Sequence, residues 1–156
     1  MPNIEYKSLN THQLGRYGEI YALMEFLSYG IDAYPTEVDD HGVDLVIKDK
    51  KDIFHEIQVK VLYKSKYVFF KKEYIAEDDG RFRENYHICL ILMKDGLEPQ
   101  LYLIPTKAWE YNEDKLFVTR SYEYGINIAK KHLPKLEQYL FAKRVKAFLG
   151  GQDETC

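Results

Sequence analysis

Apolar and polar residues change their period along this chain, and the changes mark out its elements. Between Thr11 and Gly30, the residues Ile20, Leu23, Met24 and Leu27 recur at the spacing of one buried helix stripe. That spacing predicts a first helix, with Thr11 as its cap and Tyr29-Gly30 as its stop. The period then shortens. Residues 43–48 read as a strand, Asp49-Lys50-Lys51-Asp52 as a turn and 53–62 as a longer strand, so an antiparallel hairpin is expected. A third strand is expected over 67–70. A polar loop containing Gly80 is expected over 76–84. The nearly continuous apolar run 86–93 is typical of a central strand buried on both faces. Another strand follows over 101–104. Pro105-Thr106 then opens a short helix carrying Trp109, and 116–119 forms a short strand. A last helix is predicted from Pro134 to Gly150-Gly151, with 152–156 as a disordered tail. There is no internal repeat, low-complexity tract or linker. Helix, sheet and helix in sequence predict one mixed α/β domain over 1–151.

The hairpin carries the chemistry. Side chains alternate along a strand. In 53–62, Ile53, His55, Ile57, Val59 and Val61 share one face, and Phe54, Glu56, Gln58, Lys60 and Leu62 the other. In 43–48, Val43, Leu45 and Ile47 take the apolar face, and Asp44, Val46 and Lys48 the opposite one. Joining the apolar faces fixes the parity of the register. The simplest pairing opposes Asp49 to Ile53, Val46 to Glu56, and Asp44 to Gln58. Opposed Cβ atoms lie ~5 Å apart and diagonal ones ~7 Å, so Lys60 stands one diagonal from Asp44. An acid, an amide oxygen and an ammonium therefore meet on one patch of sheet.

That patch suits magnesium-assisted phosphodiester hydrolysis. Magnesium takes hard oxygen ligands, usually only one or two carboxylates, with water and phosphate completing the shell. Asp44 can supply the carboxylate, Gln58 a neutral oxygen, and the Val59 carbonyl lies within reach. Lys60 can hold the attacking water and offset charge in the transition state. Glu19 can complete the site from the first helix, on a stripe of Gly15, Glu19, Ala22 and Phe26 whose small residues allow close approach to a sheet. The same alternation is also the ordinary look of a half-solvated antiparallel sheet. An aspartate inside a strand is disfavoured, which weighs toward a site.

Composition adds limits. The 156 residues, 46% hydrophobic, suit one soluble domain. The net charge of −3 argues against a protein that coats nucleic acid. Positive charge is nevertheless concentrated locally: Lys60, Lys64, Lys66, Lys71 and Lys72 occur with no acid between them. Of these, Lys64, Lys66, Lys71 and Lys72 are the candidate phosphate contacts; a solvated face would look the same. No apolar run reaches the ~18 residues that span a bilayer, and Met1 to Asn10 carries no apolar leader. Cys89 and Cys156 make no disulfide framework, so a cytoplasmic setting is expected. His12, His55, His87 and His132 lack zinc-ligand spacing, and His41 beside Gly42 is a lesser candidate for metal or phosphate. Neither a phosphate-binding loop nor a serine nucleophile elbow is present.

The stretch from Gly15 to Leu62 resembles the core of the PD-(D/E)xK nucleases, particularly the branch with type IV restriction enzymes and archaeal junction resolvases. The resemblance rests on Gly18-Glu19 in a helix, Gly42-Val43-Asp44 leading a strand and Gln58-Val59-Lys60 in the next. It covers about a third of the chain. It implies a restriction-endonuclease-like mixed central β-sheet flanked by helices, in the order helix, three strands, helix, strand. It also implies Asp44 and Gln58 as metal ligands for Mg2+ or Mn2+, Lys60 as catalytic lysine and Glu19 as accessory acid. Val43 replaces the nominal proline. Gln58 replaces the second acid, and a neutral ligand weakens metal binding unless Glu19 or Glu56 compensates. The activity implied is that of a DNA endonuclease, in restriction, recombination or repair, working as a homodimer or higher homo-oligomer. The alternatives are a nuclease fold that binds DNA or a protein partner without catalysis, and a subunit of a larger defence or repair complex.

Overall fold

A computed structural model describes residues 2–37, 41–110 and 115–150. Gly151 and the expected tail 152–156 lie outside the described residues. The chain opens with helix α1 (Thr11–Ser28). Its cap is Asn10 rather than Thr11: the Asn10 side chain accepts from the Gln13 N–H, and the Gln13 side chain accepts from the Asn10 N–H. Of the stripe expected to be buried, only Leu23 packs against the core, and only partly. Ile20, Met24 and Leu27 are 45%, 52% and 51% exposed, and the helix buries Gly18, Ala22 and Phe26 instead. A Cβ on Gly18 would collide with Val61 and touch Ile91. The absence of that atom lets α1 lie close on the sheet, and close approach outweighs side-chain hydrophobicity in choosing the buried face.

Strands β1 (Asp32–Pro35), β2 (Leu45–Lys48), β3 (Phe54–Tyr63), β5 (Tyr86–Met93) and β6 (Gln100–Pro105) form one sheet in the order β1-β2-β3-β5-β6. The β2–β3 register is the expected one, with Val46 opposite Glu56 and Leu45 opposite Ile57. The turn enforces it. Asp49 N–H donates to the Ile53 carbonyl, and Asp49 Oδ1 accepts from the N–H groups of Lys51 and Ile53. Strands β3 and β5 are parallel, pairing Gln58 with Ile88 and Lys60 with Leu90. Their crossover contains β4 (Tyr67–Lys71) and the single-turn helix α2 (Lys72–Ile75).

Three features depart from the sequence reading. The strand at 67–70 joins a second sheet, in the order β4-β8-β7, with β7 (Phe117–Thr119) and β8 (Glu123–Asn127). Strands β1 and β8 were not anticipated. The expected last helix is broken into 3-10 turns at Lys130–His132, Glu137–Tyr139 and Val145–Phe148, with helices α3 (Leu133–Leu136) and α4 (Phe141–Arg144) between them. Two hydrophobic layers explain the break. Leu136 and Tyr139 belong to the layer between the two sheets, whereas Phe141, Val145 and Phe148 belong to the layer under α1. No straight helix serves both. The chain crosses the edge strand β6 at Leu140, which is extended and bridged to Tyr102.

The second sheet also settles the character of the hairpin's polar face. Its far end is covered, with Gln58 and Leu62 5% and 6% exposed, while Phe54 at the turn end stays 58% exposed. Val43 leaves the apolar face expected for it and packs with Leu62, Tyr86 and Ile88 between the sheets. Strand alternation does not reach Val43 because β2 begins only at Leu45.

Candidate active site

Strand β3 is longer than β2, and the overhang makes the site. Among the described residues the β3 edge beyond Leu45 pairs with no strand, and a cleft of about 530 Å³ opens there. Its floor is β3 from Gln58 to Tyr63, one wall is the start of α1 with Gly15 and Glu19, and the other is β4 from Tyr67 to Phe69. Asp44, Gln58, Val59, Lys60 and Glu19 all line it.

Asp44 stands just before β2. Its N–H donates to the Ile57 carbonyl at 2.9 Å. Its Oδ2 accepts the Val59 N–H at 2.7 Å, so the carboxylate lies along the sheet edge. Thr36 secures the same segment, donating its hydroxyl to the Val43 carbonyl at 2.6 Å and its N–H to the Asp44 carbonyl at 3.0 Å. In a strand, the N–H and C=O of one residue point to the same edge. The Val59 carbonyl therefore faces the Asp44 side of β3, toward the cleft.

Gln58 is buried beside Tyr86, whose hydroxyl lies 3.0 Å from Gln58 Oε1 and 2.7 Å from the Gly42 carbonyl. Burial pushes the Tyr86 hydroxyl far above the ordinary tyrosine range, despite the Arg83 guanidinium 4.5 Å from its ring centre. That hydroxyl stays protonated. Gly42 itself sits at φ +69, where a side chain is strained.

Lys60 is half-buried, two residues along the same face as Gln58. Glu19 is one-third exposed and paired with Arg16 at 3.4 Å. Glu56 shares the strand face of Gln58, but its carboxylate is held by Arg83 at 3.3 Å and does not line the cleft. Lys64, Lys66, Lys71 and Lys72 are exposed around the β3–β4 turn and the end of β4. Lys64 reaches over the Tyr63 ring and Lys71 over the Tyr74 ring.

The donors Asp44, Gln58 and Val59 are all oxygens, with a single carboxylate among them. That set suits a hard divalent cation that keeps most of its water. Among the described residues no cluster of three or more His, Cys, Asp and Glu is disposed to hold a metal. His55 and His87 do meet, Nδ1 to Nε2 at 3.1 Å, and His55 Nε2 lies 2.9 Å from Asp49 Oδ2. These atoms form a hydrogen-bonded chain rather than a common coordination point.

Tyr86, Arg83, Thr36 and Phe69 also shape the site, and the sequence reading missed them. Tyr86 reaches Gln58 only through the parallel β3–β5 pairing, which no local spacing reveals. Phe69 had a weak signal: it is an aromatic in a short strand with Lys71 two residues on and Lys64 and Lys66 just before the strand begins.

No protein-family model matches the chain, and no curated protein matches it. Solved structures do. One is Hjc of Archaeoglobus fulgidus, a Holliday junction resolvase from an archaeal hyperthermophile. The TM-score is 0.57 at 14% identity, over 85% of this chain and 95% of that one. Another is I-Ssp6803I, a bacterial homing endonuclease, with a TM-score of 0.59 at 19% identity over 88% of this chain and 93% of that one. At these identities the likeness is one of fold.

Proposed function

We propose that this chain, which has the restriction-endonuclease-like fold of the PD-(D/E)xK nucleases, is a metal-dependent DNA endonuclease. The observation that carries the reading is the convergence of Asp44, Gln58, Val59, Lys60 and Glu19 on one cleft at the free edge of β3. A magnesium or manganese ion would be held by the Asp44 carboxylate, the Gln58 amide oxygen and the Val59 carbonyl. When bound, it supplies a Lewis acid for the phosphoryl oxygen and makes a neutral-pH nucleophile of water.

The chain's own residues do the rest. The Lys60 ammonium faces the phosphate and offsets the charge that grows as the phosphorus is attacked. Glu19, on the α1 wall, orients the incoming water and accepts its proton. The fixed Asp44–Val59 contact positions the donors before substrate arrives, so little reorganisation remains for the reaction. Lys64, Lys66, Lys71 and Lys72 contact phosphates outside the cleft. One cleft per chain cuts one strand, so double-strand cleavage calls for a homodimer. The exposed Ile20, Met24 and Leu27 on α1 and Tyr34 on β1 offer it an apolar surface.

Lys60→Ala should lower cleavage of supercoiled plasmid at least ~100-fold in magnesium or manganese, with the melting temperature unchanged. Undiminished cleavage would remove Lys60 from the mechanism and this reading with it. The neutral Gln58 favours one second reading, a DNA-binding module without catalysis. Calorimetric titration with manganese separates the two, because an active site binds the ion and loses affinity in Asp44→Asn.

A further inference from the structure

The β4 wall of the cleft holds a feature that hydrolysis does not use. Phe69 is 59% exposed and lines the same cleft as Asp44 and Lys60. A single exposed apolar side chain is ordinary on a protein surface. Here its surroundings matter. The cross-strand partner of Phe69 is Gly125, which has no side chain to cover it. Tyr67, the preceding residue on that face, reaches over Gly125; an added Cβ there would collide with its ring and hydroxyl. The Arg120 guanidinium sits 5.1 Å from the Tyr67 ring centre. Tyr67 is thus turned onto Gly125, while Phe69 stays 59% exposed. Lys64, Lys66 and Lys71 flank it along the chain, and all three are exposed. The acid across from Lys71 is Glu123, which is paired with Arg120 at 3.3 Å.

An aromatic face between cations, at the wall of a phosphate-binding cleft, matches a nucleotide chemically. Cations hold the backbone while the ring stacks on the base. Size points the same way: about 530 Å³ falls within the ~300–1,000 Å³ of pockets that take one drug-sized group. Such a cleft takes a nucleotide or so, and a base inside a duplex stack cannot enter it without being extruded. We propose that Phe69 is the stacking platform for an unpaired base, and that the substrate is nucleic acid with a single-stranded or extruded nucleotide beside the scissile phosphate. The proposal rests on the nucleic-acid reading of the cleft and adds the structural class of its substrate.

The test is fluorescence anisotropy in chelator, with the whole chain and three labelled DNAs of equal length: a single strand, a matched duplex and a duplex with one bulged nucleotide. The wild type should prefer the single strand and the bulged duplex. Phe69→Ala should weaken both by roughly 10- to 100-fold and leave matched duplex unchanged, while Phe69→Trp should retain the preference. Quenching of 2-aminopurine in the bulge should disappear in Phe69→Ala alone. Equal affinity of wild type and Phe69→Ala for all three DNAs, or a wild-type preference for matched duplex, overturns the proposal. The outcome is independent of hydrolysis. Phe69-dependent binding without magnesium-dependent cleavage would sustain the platform and refute the endonuclease; cleavage indifferent to Phe69 and to base pairing would do the reverse.

Discussion

Tyr86 has one hydroxyl proton and two acceptors within reach, the Gly42 carbonyl at 2.7 Å and Gln58 Oε1 at 3.0 Å. A carbonyl can only accept, so the shorter contact claims the proton. The hydroxyl oxygen is then left to accept, and an amide can serve it by presenting its N–H2 group. A half-turn of Gln58 from the orientation seen would direct the amide oxygen toward the cleft, where a cation would need it. A glutamate at position 58 could not answer Tyr86 in this way, which gives the neutral residue a physical reason to be there. Tyr86→Phe should therefore reduce manganese affinity by calorimetry. It should also cost about 1–3 kcal/mol in urea melts, because the buried Gly42 carbonyl loses its partner. A variant with intact manganese affinity would show that the tyrosine does not orient the amide.

Among the elements, α1 sets the width of the cleft, and two of its glycines make opposite predictions. Gly18 lies against Val61, whereas a Cβ on Gly15 would meet nothing within 4 Å. Gly15→Ala should stabilise the fold by about 0.5–1 kcal/mol through helix propensity. Gly18→Ala should destabilise it by about 1–2 kcal/mol net, since Val61 is stiff and the layer tightly packed. It should also lower cleavage by moving Glu19 outward. Thermal melts of the two variants side by side check both signs. The hairpin of β2 and β3 was legible because a short turn and alternation leave one register; Asp44, one residue before β2, reaches the cleft of Gln58 and Lys60 through its contact with the Val59 N–H, which alternation does not give. The face that α1 buries was only half legible: the stripe with Ala22 and Phe26 was read as able to approach a sheet closely, but Ile20 and Met24, more hydrophobic than Gly18, pointed to a different buried face. The second sheet was hidden for another reason. Strand β4 finds β8 more than fifty residues away, and β8 is interrupted by Gly125, so neither period nor proximity announces it. The broken C-terminal helix follows from two hydrophobic layers that helical spacing alone cannot distinguish.

At the scale of the whole molecule, acid should unfold this protein through its interior. Asp49, His55 and His87 form a hydrogen-bonded chain against the Phe148 ring. Burial, with His55 and Arg144 nearby, pushes His87 down to about 3. Burial opposes ionisation of Asp49, but hydrogen bonds from His55 and from the Ile53 and Lys51 N–H groups outweigh it and hold the carboxyl below its usual range. Between pH ~6.5 and ~3 the unfolded chain binds a proton at His87 that the native chain refuses. Stability is therefore fully present above pH ~6.5 and falls as the pH drops, by at most about 1.4 kcal/mol per unit from this residue. Asp49 adds a further loss only below its ordinary range near 3.8. Urea melts from pH 7 to 4.5 should show the slope, and His87→Gln should flatten it; an unchanged slope would place the acid sensitivity elsewhere. A different consequence follows from the two sheets. The proposed hydrolytic groups hang from α1 and the first sheet, the proposed base platform hangs from the second, and the Tyr63–Tyr67 turn links them directly. A change confined to Phe69 can therefore alter what the proposed platform recognises while Asp44, Gln58 and Lys60, carried on the other sheet, keep their places.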